Sequence, residues 1–209
     1  MWLVPGGLVD HVDRLGPVAL AGAMARCHCG HEVPRGYRAL RPGARTAEIV
    51  GQLVTDHLLR LPLHRLADAR PGSSYVYEFA WPSNLPDLGA CHALELGFVF
   101  DTGDAPESRK LAGEGGPQEL CEVMHGAWVR FAATGDPGWQ AWDDSHPVRI
   151  LGDGDPYTAH GPRDRELALW TAGPVTRGPA SADGASAARG AELASAVRRL
   201  RRTVGTRPH

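Results

Sequence analysis

Apolar residues fall at helical spacing in two long stretches of the chain, and the remaining elements are arranged around them. Within 46–69, Ile49, Val50, Leu53, Val54, Leu58 and Leu61 recur every three or four residues, the interval that lines one face of a helix. Thr46 is the expected N-cap. Pro62 lacks an N–H and crowds the preceding turn, so it is expected to kink or break the helix before Leu63, Leu66 and Ala67 resume the stripe. The second stretch, 117–134, carries Leu120, Val123, Met124, Ala127, Trp128 and Phe131 as its apolar stripe. Gly135-Asp136-Pro137 ends it, the glycine supplying a left-handed turn and the proline refusing another helical one. Weaker periodicity predicts a short helix through Leu8, Val12 and Leu15, stopped at Gly16-Pro17, and another over 18–27.

The period then changes. Over 75–81, alternation puts Tyr75, Tyr77, Phe79 and Trp81 on one face and Val76, Glu78 and Ala80 on the other, which predicts a strand. Both faces look largely buried, as in an interior strand of an α/β sheet. Residues 148–151 read as a short strand and 167–170 as a final docking element. From about Gly173 the composition shifts to Gly, Pro, Ala, Ser and Arg. The chain therefore divides into a globular portion, 1–172, and a flexible tail, 173–209, with a basic helix over 186–203 where Leu193, Val197 and Leu200 recur beside four arginines.

Composition narrows the function classes. With 209 residues, a net charge of −2, 43% hydrophobic and 22% charged residues, the chain suits one domain or a large part of one, and it lacks the basic excess of a nucleic-acid binder. No segment approaches the roughly 18–20 apolar residues of a membrane span. The first residues lack a basic n-region and an adequate apolar run, so no signal peptide is expected and a cytoplasmic location is the default. Four cysteines do not make a disulfide scaffold in a chain of this size.

The candidate chemistry centres on one histidine. His92 follows the 75–81 strand by about ten residues, in Gly89-Ala90-Cys91-His92, where small residues let the backbone turn sharply. Catalytic groups of open α/β sheets gather beyond the carboxyl ends of strands. A histidine there suits a general base, which does nothing without a nucleophile, and no G-x-S-x-G elbow lies upstream. Cys91 is adjacent, but neighbouring loop side chains diverge, and a buried inert thiol fits it better. Asp10 and Asp13 sit on a helix rather than after a strand, which disfavours them as a triad acid. Zinc is the rival chemistry, since Cys27-His28-Cys29-Gly30-His31 packs four soft ligands into five residues. Its C-x-C-x-H spacing strains a tetrahedron and no second ligand pair is evident, so no metal ligands are assigned. The other histidines, His64 and His146 among them, form no H-E-x-x-H pattern and read as scattered polar residues.

The segment Gly89-Ala-Cys-His92-Ala-Leu-Glu95-Leu-Gly-Phe-Val-Phe100 resembles the catalytic-histidine segment of type-B carboxylesterases, the family of para-nitrobenzyl esterases and cholinesterases. Three more segments agree with it in order: Thr55-Asp-His-Leu-Leu-Arg60-Leu-Pro62, the strand at 75–81, and Met124-His-Gly-Ala-Trp128 through Phe131-Ala-Ala-Thr-Gly135-Asp-Pro137 with Trp142. The resemblance covers roughly residues 1–170. It implies the C-terminal part of an α/β-hydrolase fold with an incomplete sheet, ester hydrolysis by a Ser-His-Glu/Asp mechanism, and no cofactor. His92 corresponds to the triad base, while Glu95 and Gly89 correspond to residues that organise the loop. The apolar helix around Leu53 to Leu63 is expected to line the acyl or alcohol pocket. The family's oxyanion loop, nucleophile elbow and acid all belong upstream of the aligned region, as though the chain began a few residues past the acid. The expected substrate is a small-molecule ester, with the chain inactive alone. A missing N-terminal half is the expected partner, and a non-catalytic interaction protein is the alternative.

Overall fold

The computed structural model describes residues 9–171; the expected tail and its basic helix at 186–203 lie outside the described residues. Four helices open the described part: α1 (Val9–Leu15), α2 (Pro17–Cys27), α3 (Glu32–Leu40) and α4 (Thr46–Thr55). Helix α4 starts one residue earlier than its sequence suggests, with Arg45 rather than Thr46 at the N-cap. The free donors of its first turn are met from two sides. Asp13 of α1 accepts the Ala47 N–H at 2.7 Å, and Glu48 accepts the Arg45 N–H at 2.8 Å. Asp13, disfavoured above as a triad acid, is a helix cap.

Pro62 does not break the helix. Residues Asp56–Arg60 form a π turn in which the Leu61 N–H reaches the Asp56 carbonyl, and α5 (Leu61–Ala69) follows directly. One extra residue in that turn relieves the clash between the proline ring and the turn before it. Asp56, Arg60 and Leu61 all keep right-handed helical dihedrals.

Strand β1 (Tyr77–Phe79) is shorter than the alternation suggests and pairs in parallel with β2 (Pro147–Leu151), Tyr77 facing Arg149 and Phe79 facing Leu151. Strand β3 (Tyr157–His160) pairs antiparallel with β2, giving the order β1-β2-β3. Among the described residues β1 is therefore an edge strand, not the interior strand that its apolar faces suggest. Helix packing buries Phe79 and Trp81 on one face, while ion pairs to arginines cover Glu78 on the other.

Between β1 and β2 lie the histidine loop, α6 (Leu96–Val99), α7 (Pro106–Ala112) and α8 (Gln118–Thr134). Helix α8 ends at Gly135, whose φ of 77° is the left-handed cap its sequence predicts, with the Gly135 N–H on the Phe131 carbonyl. Only Leu120, Cys121 and Met124 of its apolar face are buried; Val123, Trp128, Val129 and Phe131 stay substantially exposed. A last short helix, α9 (Asp164–Ala168), docks through Leu167, and Trp170 behind it reaches Tyr37. Among the described residues no helix is long and apolar enough to cross a membrane.

Candidate functional site

The loop that leaves β1 is held by a few backbone hydrogen bonds and by packing on either side of His92. The Gly89 carbonyl accepts both the Ser83 N–H at 3.0 Å and the Cys91 N–H at 2.9 Å. Gly89 itself has a φ of 54°, in the left-handed region that side chains disfavour. The Leu94 N–H then approaches the Cys91 carbonyl at 3.4 Å, closing a turn with His92 and Ala93 at its corners. Ala93 has a φ of 68°, the sign that the third position of a type II turn requires and an uncommon one for a residue with a Cβ. Cys91 and Leu94 are buried at the two ends of the turn, whereas His92 at its corner is exposed.

Downstream contacts fix the turn. The Glu95 carbonyl accepts the N–H groups of Phe98 and Val99 and so starts α6. His125 of α8 bonds the Val99 carbonyl through Nδ1 at 2.9 Å, which requires the proton on that nitrogen. The residues singled out from sequence share this loop, but their surroundings differ. Glu95 is half-buried and lines a cavity of about 290 Å³ with Arg60, His64, Tyr77, Glu78 and Arg163. Leu59 and Leu63 also line that cavity, while Leu53 turns into the core. His92 has no side-chain hydrogen bond among the described residues.

Burial pushes the Cys91 thiol up from its ordinary value, so it is a poor nucleophile beside the histidine. No described serine completes a relay through His92. Ser83 Oγ donates to the Leu111 carbonyl. Ser145 Oγ lies 2.6 Å from Asp143 Oδ1 and 3.0 Å from His160 Nδ1. There the hydroxyl sits between carboxylate and imidazole, whereas a triad needs the imidazole in the middle.

The Cys27–His31 cluster does not converge. Cys27 points into the core toward the Leu53 carbonyl, burial raising its thiol to about 11, while His28 and His31 are exposed. The histidines that read as scattered do converge. His64, His146 and Asp164 offer ligand atoms within 4.8 Å of one another, the only such group of metal-binding side chains among the described residues. Their sequence separation left no spacing pattern to read.

Next to the cavity runs a chain of charges. Glu78 is bonded by Arg163 Nη2 at 2.7 Å and by Arg60 at 3.5 Å; Arg60 in turn holds Asp56 at 2.5 Å. Desolvation drives the Glu78 carboxyl upward, but the hydrogen bonds and charge of Arg163, with the charge of Arg60, outweigh it and hold the group below the usual carboxylate range. The Tyr37 hydroxyl donates to Asp56 at 2.5 Å and accepts from Trp170 Nε1 at 2.8 Å; burial and the Asp56 charge push its ionisation far above normal. Near neutral pH Glu78 is thus a fixed carboxylate acceptor and Tyr37 a fixed neutral hydroxyl.

Comparison with known proteins sets these elements in context. The sequence model of the carboxylesterase family matches residues 32–153. Phenmedipham hydrolase of Pseudarthrobacter oxydans is 29% identical over 119 residues, 50% of this chain and 24% of that protein. Para-nitrobenzyl esterase of Bacillus subtilis (strain 168) is 33% identical over 110 residues, 49% of this chain and 22% of that protein. The chain thus spans about a quarter of the length of these curated relatives. Among solved structures, a para-nitrobenzyl (PNB) esterase superposes with a TM-score of 0.53 at 24% identity, covering 66% of this chain and 32% of that one. A thermophilic PNB esterase gives a TM-score of 0.53 at 24% identity, covering 81% and 34%. The fold is that of α/β-hydrolases, represented here by a small, incomplete sheet with its flanking helices, and the chain belongs to the carboxylesterase family.

Proposed function

We propose that residues 1–172 are the histidine-bearing portion of a serine carboxylesterase and that His92 is its general base. In acylation His92 takes the proton of a serine hydroxyl as that oxygen attacks the ester carbonyl. It then returns the proton to the departing alcohol, and water releases the acid from the acyl-enzyme by the same shuttle. Backbone N–H groups of an oxyanion loop hold the developing charge. The observation that carries the reading is the exposed position of His92 at a turn corner whose two flanks, Cys91 and Leu94, are buried. That arrangement fixes the backbone while leaving the ring open to a partner. Glu95 and Gly89 act on the loop rather than on the substrate, Gly89 through its left-handed turn and Glu95 through the backbone carbonyl that starts α6.

The serine, its elbow and the oxyanion loop do not occur in these 209 residues, so this polypeptide alone turns over negligible ester. A second reading, association with a separately encoded segment that carries the elbow, is favoured by the exposed apolar face of α8 and by β1, which is an edge strand among the described residues. Hydrolysis of para-nitrophenyl acetate tests both. The chain alone is expected to match buffer. Co-expression with an elbow-bearing N-terminal segment is expected to restore turnover, which His92→Ala then reduces by roughly 10⁶-fold in kcat. Restored activity that survives His92→Ala, or His92-dependent turnover by the chain alone, overturns the assignment.

A further inference from the structure

A second group of side chains is drawn from three elements other than the His92 turn. His64 comes from α5, His146 from the loop that enters β2, and Asp164 from the first turn of α9. Their ligand atoms all fall within 4.8 Å of one another, and His146 Nδ1 lies 3.0 Å from both carboxylate oxygens of Asp164. We propose that His64, His146 and Asp164 bind one divalent first-row transition metal ion of the zinc type, which clamps α5, the β2 entry and α9 together.

Two imidazoles and a carboxylate form a ligand set that suits zinc, with a fourth tetrahedral position left for water. Zinc–ligand bonds of about 2.0–2.2 Å put tetrahedral ligand atoms roughly 3.3 Å apart. The His146–Asp164 pair is already near that spacing at 3.0 Å, and the half-buried His64, within 4.8 Å, has to move inward on binding.

Ring packing and backbone hydrogen bonds hold the ligands in place. Trp142 stacks on the His146 ring at 4.8 Å and 8° and meets His64 edge-on at 4.7 Å, and its own Nε1–H is anchored on Asp68 at 2.8 Å. His146 adopts a φ of 48°, an uncommon conformation held by its N–H on the Asp143 carbonyl and by the Gly161 N–H on its own carbonyl. At Gly161, with a φ of 55°, a Cβ would run into the Asp164 carboxylate, so only glycine leaves that carboxylate its place. Both imidazoles and the carboxylate are thus oriented by contacts that the ion pair alone does not need. The ion would join segments 82 and 18 residues apart in sequence, from His64 to His146 and on to Asp164.

Equilibrium dialysis of the chelator-stripped full chain against zinc chloride tests the proposal. One equivalent should be retained and should raise the melting midpoint. His64→Ala and His146→Ala should each weaken binding by at least about tenfold, as should Asp164→Asn, which removes charge from an exposed position without altering packing. A Cys27→Ser/Cys29→Ser double variant should bind as the parent does. Substituted Co²⁺ reports the donor set on the unaltered chain, so the result does not depend on every variant folding. Tetrahedral visible bands without thiolate-to-cobalt charge transfer support the site. Substoichiometric zinc, thiolate charge transfer, or binding that survives Asp164→Asn and either histidine variant overturns it, leaving the His146–Asp164 contact as an ion pair only.

Discussion

Around Phe98 the buried side chains carry no charge, whereas around Tyr37 the buried cluster ends in a carboxylate. The first region joins β1, the His92 turn, α6, α8 and β2 through Phe79, Trp81, Cys91, Leu94, Met124 and Leu151. The second joins α3 and α4 through Val33, Tyr37, Ile49 and Leu53, and continues into the wholly buried Asp56 with Arg60 beside it. Apolar packing is tolerant of small shifts and roughly additive in area. A buried charge is neither, because it must keep its partners or leave an uncompensated ion in a medium of low polarity. The turn that presents His92 thus rests on the tolerant kind of contact, and the helical region on the exacting kind.

Removing Asp56 is the sharpest way to break that contrast. Asp56→Ala leaves the Arg60 guanidinium only its longer contact to Glu78 and takes the acceptor from Tyr37, and is expected to lower stability by roughly 3–5 kcal/mol, read from the urea midpoint. Leu94→Ala in the apolar region should cost about 2–5 kcal/mol, and amide exchange at 91–96 should speed up more than exchange in α4. Equal acceleration in both regions would show that the two clusters unfold as one unit and that the distinction carries no local consequence.

Glu78 sharpens the comparison through pH. Its carboxyl is held below the usual range in the folded chain, so the stabilisation is fully present above the unfolded carboxylate value of about 4.3. It is lost as pH falls through the lower folded value. The urea midpoint of the parent should therefore exceed that of Glu78→Gln at pH 6, with the gap closing in the acid limb; a gap independent of pH refutes the ion-pair account. The smallest effect is expected at the rim. Asp13→Ala removes the cap on the Ala47 N–H and the pair with Arg45, at a cost of about 0.5–1 kcal/mol, measured as a shift in thermal midpoint.

The periodic stretches were legible because a helix repeats its environment every 3.6 residues. α1, α2, α4–α5 and α8 all stand close to where the apolar spacing puts them, as does β2. Reading which residues of a stripe meet a neighbour needed more. Leu120 and Met124 are buried while Phe131, on the same stripe, is not, since spacing says nothing of how far the neighbouring layer extends. Short elements such as α6, α7 and β3 carry too few residues to show a period at all.

The His92 loop was legible for a different reason: its glycine, its small residues and its chemistry are contiguous in sequence. His64, His146 and Asp164 are not, and nothing in their separate surroundings distinguishes them from polar surface. What the sequence alone determined is where helices can form and which loop carries an imidazole, because backbone geometry and turn chemistry are local. The tertiary structure decided which side chains share a site, which carboxylates are paired and which helix face stays open, because those depend on distances between segments far apart along the chain.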